Sequence, residues 1–280
     1  MNTVIIAILG RPNAGKSTFM NLVVGESLAP VSSVPNTTRL ALKWIHTDEQ
    51  TQFVFIDVPG LQLGRSALLD TIRKESFGGL SDAHAILWLT DRSRPLGEEE
   101  DKIEQIVVQS GKPFLRVYTK GDLTNIARPP QSAVCISTKN PQLERILEHF
   151  RPYAQIEGVL YDSDLYSDTT RAARATEIIR EQAISRLMEE IPHALYARIE
   201  DITLGSERIR MLAYIVVETE SQKKIVIGLK GSKISQIGQA SRLKISEVYD
   251  LPVDLVLRVA VEAGWTKDAQ KVHNALYNHA

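Results

Sequence analysis

Over the first 150 residues, short apolar runs alternate with longer stretches patterned at helical spacing. Residues 4–9 form an unbroken apolar run that predicts a buried strand, and residues 18–24 behind it predict a helix. Residues 29–39 are polar and interrupted by Pro30 and Pro35, which predicts a long loop. Two strand-like segments, 40–45 and 52–56, flank a polar turn at 46–50 and predict a hairpin. A helix is predicted over 66–77, ending at Gly78-Gly79. Residues 85–90 read as a strand buried on both faces of a parallel sheet. An amphipathic helix over 97–109, strands over 114–118 and 133–136, and a helix over 141–150 complete the series. Strands alternating with helices predict a doubly wound α/β domain over residues 1–155.

The rhythm breaks after Arg151. Pro152, Gly158, Asp162-Ser163-Asp164 and Ser167-Asp168-Thr169-Thr170 lack periodicity, so residues 156–175 read as a linker. A helical stripe over 172–190 carries Ile178, Ile179, Ala183, Ile184, Leu187 and Met188, and stops at Ile191-Pro192. Strands over 197–203 and 210–219 follow, then two helical segments joined at Gly228-Leu229-Lys230-Gly231, a strand over 253–261 and a helix over 267–277. This order predicts a second, α+β domain over 176–280.

Composition narrows the picture. A chain of 280 residues suits one large or two ordinary domains, and 43% hydrophobic with 24% charged residues is ordinary for a globular protein. No apolar run approaches a membrane span, so no integral membrane segment is expected. The N-terminus enters the first strand without a basic leader, and a cytoplasmic protein is the expectation. Cys135 is the single cysteine, which rules out an internal disulfide and reads as a small apolar residue on a buried strand. A net charge of −1 gives no overall field for nucleic acid, so any such site must come from local clustering.

The chemistry concentrates first in Gly10-Arg11-Pro12-Asn13-Ala14-Gly15-Lys16-Ser17, followed by Thr18. A glycine-bearing loop between strand and helix points its backbone N–H groups at a polyphosphate. Lys16 can reach the β- and γ-phosphates, and Ser17 offers a hydroxyl to Mg²⁺. The predicted strand 52–56 runs into Asp57-Val58-Pro59-Gly60, placing Asp57 near the Mg²⁺ shell and the Gly60 N–H near a γ-phosphate. Two further strands run into Thr119-Lys120-Gly121-Asp122 and Ser137-Thr138-Lys139. A carboxylate at Asp122 can accept from guanine N1–H and N2–H₂ together, a donor pair adenine lacks. Lys120 can lie along the base plane, and amides near Ser137 and Thr138 can approach O6.

These motifs together resemble a translation-factor-type GTPase, and the phrase G-R-P-N-A-G-K-S-T with T-T-R and D-x-P-G is similar to the branch that contains the Era and MnmE types. The resemblance implies Lys16, Thr38 and Gly60 as catalytic residues, Thr37 and Thr38 in switch I, and Ser17, Thr38 and Asp57 around Mg²⁺. Asn13 matches a P-loop asparagine that helps hold K⁺ in some relatives, so the resemblance adds K⁺ to GTP/GDP and Mg²⁺. Four departures stand out: Thr119 replaces the usual Asn, Val58 the usual Thr, Thr138 the usual Ala, and Leu61 the water-orienting Gln of many GTPases. Leu61 cannot polarise water, so slow hydrolysis is expected. The Thr119 hydroxyl can still tie the guanine loop to the P-loop.

Between Ser221 and Lys244 there are six basic residues and no acidic one. A G-x-x-G turn lets backbone and lysines approach a nucleic-acid phosphate, while Ile225, Ile227, Ile234 and Ile237 can wall a groove for single-stranded bases. Lys223, Lys224, Ile227, Gly228, Leu229, Lys230, Gly231, Lys233 and Arg242 are the candidate RNA-binding residues. This half resembles a KH domain of type II. A P-loop GTPase followed by a KH domain, with Thr176–Gln182 and Glu190-Ile191-Pro192 matching family phrases, resembles the Era-type GTPases over nearly the whole chain. That resemblance implies binding near the 3′ end of small-subunit ribosomal RNA, a role in 30S assembly, and peripheral association with the inner membrane. The alternative is a GTP-binding RNA-assembly factor with little hydrolysis, favoured by Val58, Leu61 and Thr119. Structural readings suffice for Trp88 and Trp265 as core residues, and for Glu98-Glu99-Glu100-Asp101 as a solvated helix start.

Overall fold

The computed structural model describes residues 1–25, 43–58, 78–123, 130–168, 170–187 and 195–277, with side chains to 275. These form two compact units, the first ending at Asp168.

The first unit is built on β1 (Asn2–Gly10). On one side it pairs in parallel with β3 (Thr51–Asp57) and on the other with β4 (Ala85–Asp91), which in turn pairs with β5 (Phe114–Thr119). β2 (Lys43–Thr47) extends the β3 edge as an antiparallel hairpin strand, and the two-residue β6 (Val134–Cys135) lies beyond β5. Alternate residues of β1 supply two cores. Val4, Ile6 and Ile8 pack with Phe19, Phe55, Leu87 and Phe150, whereas Ala7 and Leu9 pack with Ile56, Ile86, Trp88, Ile103 and Val107. The first core receives α1 (Lys16–Val24) and α3 (Leu143–Phe150), the second α2 (Glu98–Gln109). Burial on both faces is why β4 reads as a continuous apolar run. The parallel register brings Gly10, Asp57, Asp91 and Thr119 to one edge of the sheet, where open α/β folds bind ligands.

The stretch that reads as a linker is partly fastened to this unit. β7 (Ile156–Glu157) pairs antiparallel with Asn2 and Thr3, on the side of β1 that β4 reaches only from Ile6 onward. Buried Gln52 then accepts the N–H groups of Leu160 and Tyr161 at 2.9 and 3.0 Å, and donates to the Tyr161 carbonyl at 2.9 Å. Ser167 bridges Trp44, and the Asp168 carboxylate accepts the Lys43 N–H. Contacts so distant in sequence leave no periodic trace.

In the second unit, β9 (Ile209–Val217) is flanked by antiparallel β8 (Leu195–Leu204) and parallel β10 (Val253–Val261). Around this sheet stand α4 (Arg171–Leu187), α5 (Glu220–Ile227), α6 (Ser232–Tyr249) and α7 (Ala269–Tyr277). Ile178, Ile179, Ala183, Ile184 and Leu187 of α4 share one core with Ile209, Ala213 and Ile215 of β9. Trp265 is fully buried, edge-on to Tyr196 with ring centroids 4.8 Å apart. Among the described residues, no helix is long and apolar enough to cross a membrane.

Candidate functional site

The loop after β1 is shaped by close backbone approach. A Cβ on Gly10 would lie 2.7 Å from the Leu89 carbonyl oxygen, so only glycine fits between β1 and β4. Asn13 and Gly15 adopt left-handed φ values of 63° and 92°, curling the chain into α1. No side chain caps that helix, and its first internal bond runs from the Phe19 N–H to the Gly15 carbonyl. The amides of Lys16, Ser17 and Thr18 therefore have no acceptor within the helix, which is the arrangement that binds phosphate oxygens. Lys16 folds back, its Nζ 3.1 Å from the Gly10 carbonyl. Burial lowers its pKa, Asp57 draws it up and Arg94 pushes it down. A charge desolvated in this way is suited to an anionic ligand.

Asp57 ends β3 opposite Ile8 and is buried. Asp57 and the Ser17 hydroxyl on the first turn of α1 would offer oxygen donors, the kind Mg²⁺ prefers. Thr37, Thr38, Gly60 and Leu61 lie outside the described residues, as does the helix predicted over 66–77.

Beyond β5 one residue of the guanine motif is bound to the phosphate loop. Thr119 Oγ1 donates to the Ala14 carbonyl at 2.8 Å, the tie that the Thr119 hydroxyl allows. Lys120 is left-handed, with φ 58°, and its Nζ lies 2.6 Å from Asp91 Oδ2. The Gly121 N–H donates to the Ile136 carbonyl at 3.0 Å, and Ser137 closes a turn with Asn140. Asp122 and Thr138 are exposed. Thus the three loops at residues 10–18, 119–122 and 136–140 are brought together.

Arg11 and Pro12 take part differently from their neighbours. The Arg11 side chain turns inward to Glu100, Nε to Oε2 at 3.0 Å, and donates to the Pro95 carbonyl. Glu100, which the sequence places on a solvated helix start, is only 1% exposed. Its Oε1 accepts the Trp88 indole N–H at 2.7 Å and the Thr90 hydroxyl at 2.8 Å. Three acids precede or follow it in solvent, so nothing in the local pattern separates Glu100 from them. Cys135 also differs from its sequence reading, being half-buried.

In the second unit a capping box of Thr219 and Gln222 starts α5, and α5 ends at Gly228. Gly228, Lys230 and Gly231 all have positive φ, and a Cβ on Gly228 would lie 2.9 Å from the Lys233 N. Leu229 at the tip is 84% exposed. Lys224, Lys230 and Arg242 are exposed, while Lys223, Ile227 and Lys233 are half-buried. Ile237 is not a groove residue: it is fully buried in the core, because α6 turns the 237, 241 and 245 positions toward the sheet. The sequence reading passes over Gly238, where an added Cβ would meet Leu257 of β10 at 3.9 Å. That is ordinary van der Waals distance, so a larger residue would pack there without strain.

Comparisons with known proteins match both halves. A family described as "50S ribosome-binding GTPase" matches residues 5–120, and the KH domain family matches residues 190–266. The GTPase Era of Mycoplasmopsis agalactiae is 33% identical over 99% of this chain and 100% of its own length. The chain belongs to the Era family of GTPases. The GTPase Era of Borrelia garinii subsp. bavariensis is 34% identical over 96% of this chain and 97% of its own. Among solved structures, an Era variant from Aquifex aeolicus bound to GDP and AlF4⁻ superposes with a TM-score of 0.88 at 26% identity, covering 100% of both chains. Era in complex with MgGDPNP and nucleotides 1506–1542 of 16S ribosomal RNA gives the same TM-score and identity over 100% of this chain and 99% of that one. Within this Era-family chain, Val58 keeps its side chain in the core beside Ile56 and Ala83.

Proposed function

We propose that this Era GTPase couples GTP binding and hydrolysis to capture of the 3′ end of small-subunit ribosomal RNA during 30S assembly in the cytoplasm. The observation that carries the reading is the full-length likeness to Era holding MgGDPNP and 16S ribosomal RNA, with this chain's own two loops built for phosphate. Residues 10–18 cradle the phosphates, with Lys16 reaching the β- and γ-oxygens. Thr119, Lys120, Asp122, Ser137 and Thr138 hold guanine. Ser17, Thr38 and Asp57 would hold Mg²⁺, which would supply neutralisation of the phosphate charge. Thr37, Thr38 and Gly60 complete the γ-phosphate side. Asn13 holds K⁺; equal turnover with Na⁺ in its place would remove this part.

RNA meets the Gly228–Gly231 loop, with Lys223, Lys224, Lys230, Lys233 and Arg242 on phosphates and Ile227 and Leu229 against bases. Peripheral contact with the inner membrane belongs to the same proposal through the family resemblance alone. We place the domain boundary between Asp168 and Arg171, supported by the unit division and the start of α4.

The test is binding of a 3′-end ribosomal RNA oligonucleotide with GTP analogue, GDP or no nucleotide, in wild type, Asp122→Ala and Gly231→Asp. Nucleotide-dependent binding lost in Gly231→Asp supports the coupled reading. Nucleotide-independent binding leaves two uncoupled modules, and phosphate release at background with RNA bound leaves an assembly factor without turnover.

A further inference from the structure

One buried carboxylate that the sequence does not single out stands behind the nucleotide site and contacts one of its predicted residues, Lys120, directly. Asp91 ends β4 between the two strands that feed the site, its backbone level with Thr119 of β5 and two residues beyond the pairing of Leu89 with Gly10. It is 1% exposed. Its Oδ1 accepts the N–H of Ser93 at 2.9 Å and the Ser93 hydroxyl at 2.6 Å. Its Oδ2 holds Lys120 Nζ at 2.6 Å and Arg94 Nε at 3.3 Å. The same Arg94 donates from its Nη2 to the carbonyl of Pro12, inside the phosphate loop.

We propose that Asp91 is a positioning residue for guanine-nucleotide binding, pre-setting Lys120 for the base and, through Arg94, the Pro12 turn for the phosphates. The inference rests on the nucleotide-site reading above. Lysine and arginine side chains are rich in rotamers, and ordering them on binding costs free energy that a pre-formed anchor removes. Lys120 has the further burden of a left-handed backbone, which its surroundings must hold in place. Burial acts to raise the Asp91 pKa, yet the hydrogen bonds from Lys120 and Ser93 outweigh it and keep the carboxyl ionised. The partners of Asp91 are Ser93, Lys120 and Arg94, none of them a residue assigned to the γ-phosphate or to Mg²⁺, so the expected effect falls on affinity and not on the chemical step.

The experiment compares GDP affinity, and kcat and KM for GTP, in wild type, Asp91→Asn, Lys120→Met, Arg94→Met and the Asp91→Asn/Lys120→Met double variant. Asp91→Asn should weaken GDP binding and raise KM by about tenfold, which is the factor expected for losing one charge-assisted contact, with kcat within about twofold of wild type. In the Lys120→Met background the same change should cost less than about threefold, because contacting residues are not additive. A folded Asp91→Asn protein with unchanged GDP affinity overturns the proposal. So does a loss confined to kcat, or full additivity with Lys120→Met. If Asp91→Asn does not fold, Arg94→Met replaces it, its side chain being 35% exposed; a raised Kd with kcat intact supports the proposal and an unchanged Kd overturns it. Wild-type protein that binds no GDP overturns the nucleotide-site reading itself, a result distinct from every variant outcome.

Discussion

The phosphate loop of the first unit is braced from behind by buried charge, with Glu100 on Arg11 and Asp91 on Arg94 and Lys120. The Gly228–Gly231 loop of the second unit instead projects from two helices, with left-handed backbone at three positions and Leu229 almost fully exposed. Under the proposed function both loops meet phosphate, but they solve different problems. A nucleotide with one productive pose benefits from loops fixed to fractions of an ångström. An RNA strand read mainly through its backbone benefits from steric access, with lysines free to follow the phosphates.

The largest effect should come from removing a brace. Glu100→Ala leaves Arg11 buried without its carboxylate and strips Trp88 and Thr90 of their acceptor. The first unit should lose about 3–5 kcal/mol, the usual consequence of breaking a buried pair from one side. Urea unfolding followed by tryptophan emission measures it. Lys230→Ala, on the exposed loop, should change stability by less than about 0.5 kcal/mol while lowering RNA affinity and its salt dependence. Equal destabilisation by both variants would break the contrast between the units.

Next in size is Gly228→Ala. The Cβ would meet the Lys233 backbone at 2.9 Å on a residue with φ 73°. Strain of about 1–3 kcal/mol is expected, with RNA affinity reduced and GDP affinity unchanged. Titration of both ligands on one preparation decides it. Thr119→Val should be milder. Losing the 2.8 Å bond to Ala14 costs about 1 kcal/mol, a GDP affinity loss of about fivefold, without effect on RNA binding in the absence of nucleotide.

How much of this was visible in the chain depends on the range of the contact. Strand–loop–helix at residues 4–24 and the β10 boundaries follow from local pattern, since apolar spacing and glycine placement are short-range signals. The Thr119 tie to the P-loop could be anticipated from the motif because the hydroxyl survives the departure from Asn. Glu100 could not, since its partners come from the loop after β1, from β4 and from β5, and its neighbours in sequence are also acids. Ile237 and the fastened stretch 156–168 escaped for the same reason. Ile237 is buried in a core shared with β8 and β9, and the stretch 156–168 depends on Gln52 more than 100 residues away.

The smallest effect separates the units by pH. In the first, Asp48 is held down to about 2, chiefly by its hydrogen bonds from Arg151, against the opposing influence of burial. Its unfolded pKa is near 3.8, so the pair contributes fully above about pH 4 and is lost as pH falls toward 2. Both side chains are more than a quarter exposed, which limits the contribution to about 1 kcal/mol or less. In the second unit, burial pushes the Tyr249 phenol up to about 12, and its hydroxyl donates to the Arg171 carbonyl at 3.0 Å. A phenol kept neutral by the fold stabilises below pH 10 and loses that contribution as pH rises toward 12. Burial and Glu262 raise Tyr196 in the same direction. Acid should therefore loosen the first unit and alkali the second. Trp265→Phe leaves emission from Trp44 and Trp88 in the first unit, and Trp44→Phe/Trp88→Phe leaves Trp265 in the second, so urea midpoints at pH 3, 7 and 11 report each separately. Arg151→Gln should flatten the acid response of the first unit and Tyr249→Phe the alkaline response of the second. Midpoints that move together at both extremes would mean that the two units unfold as one.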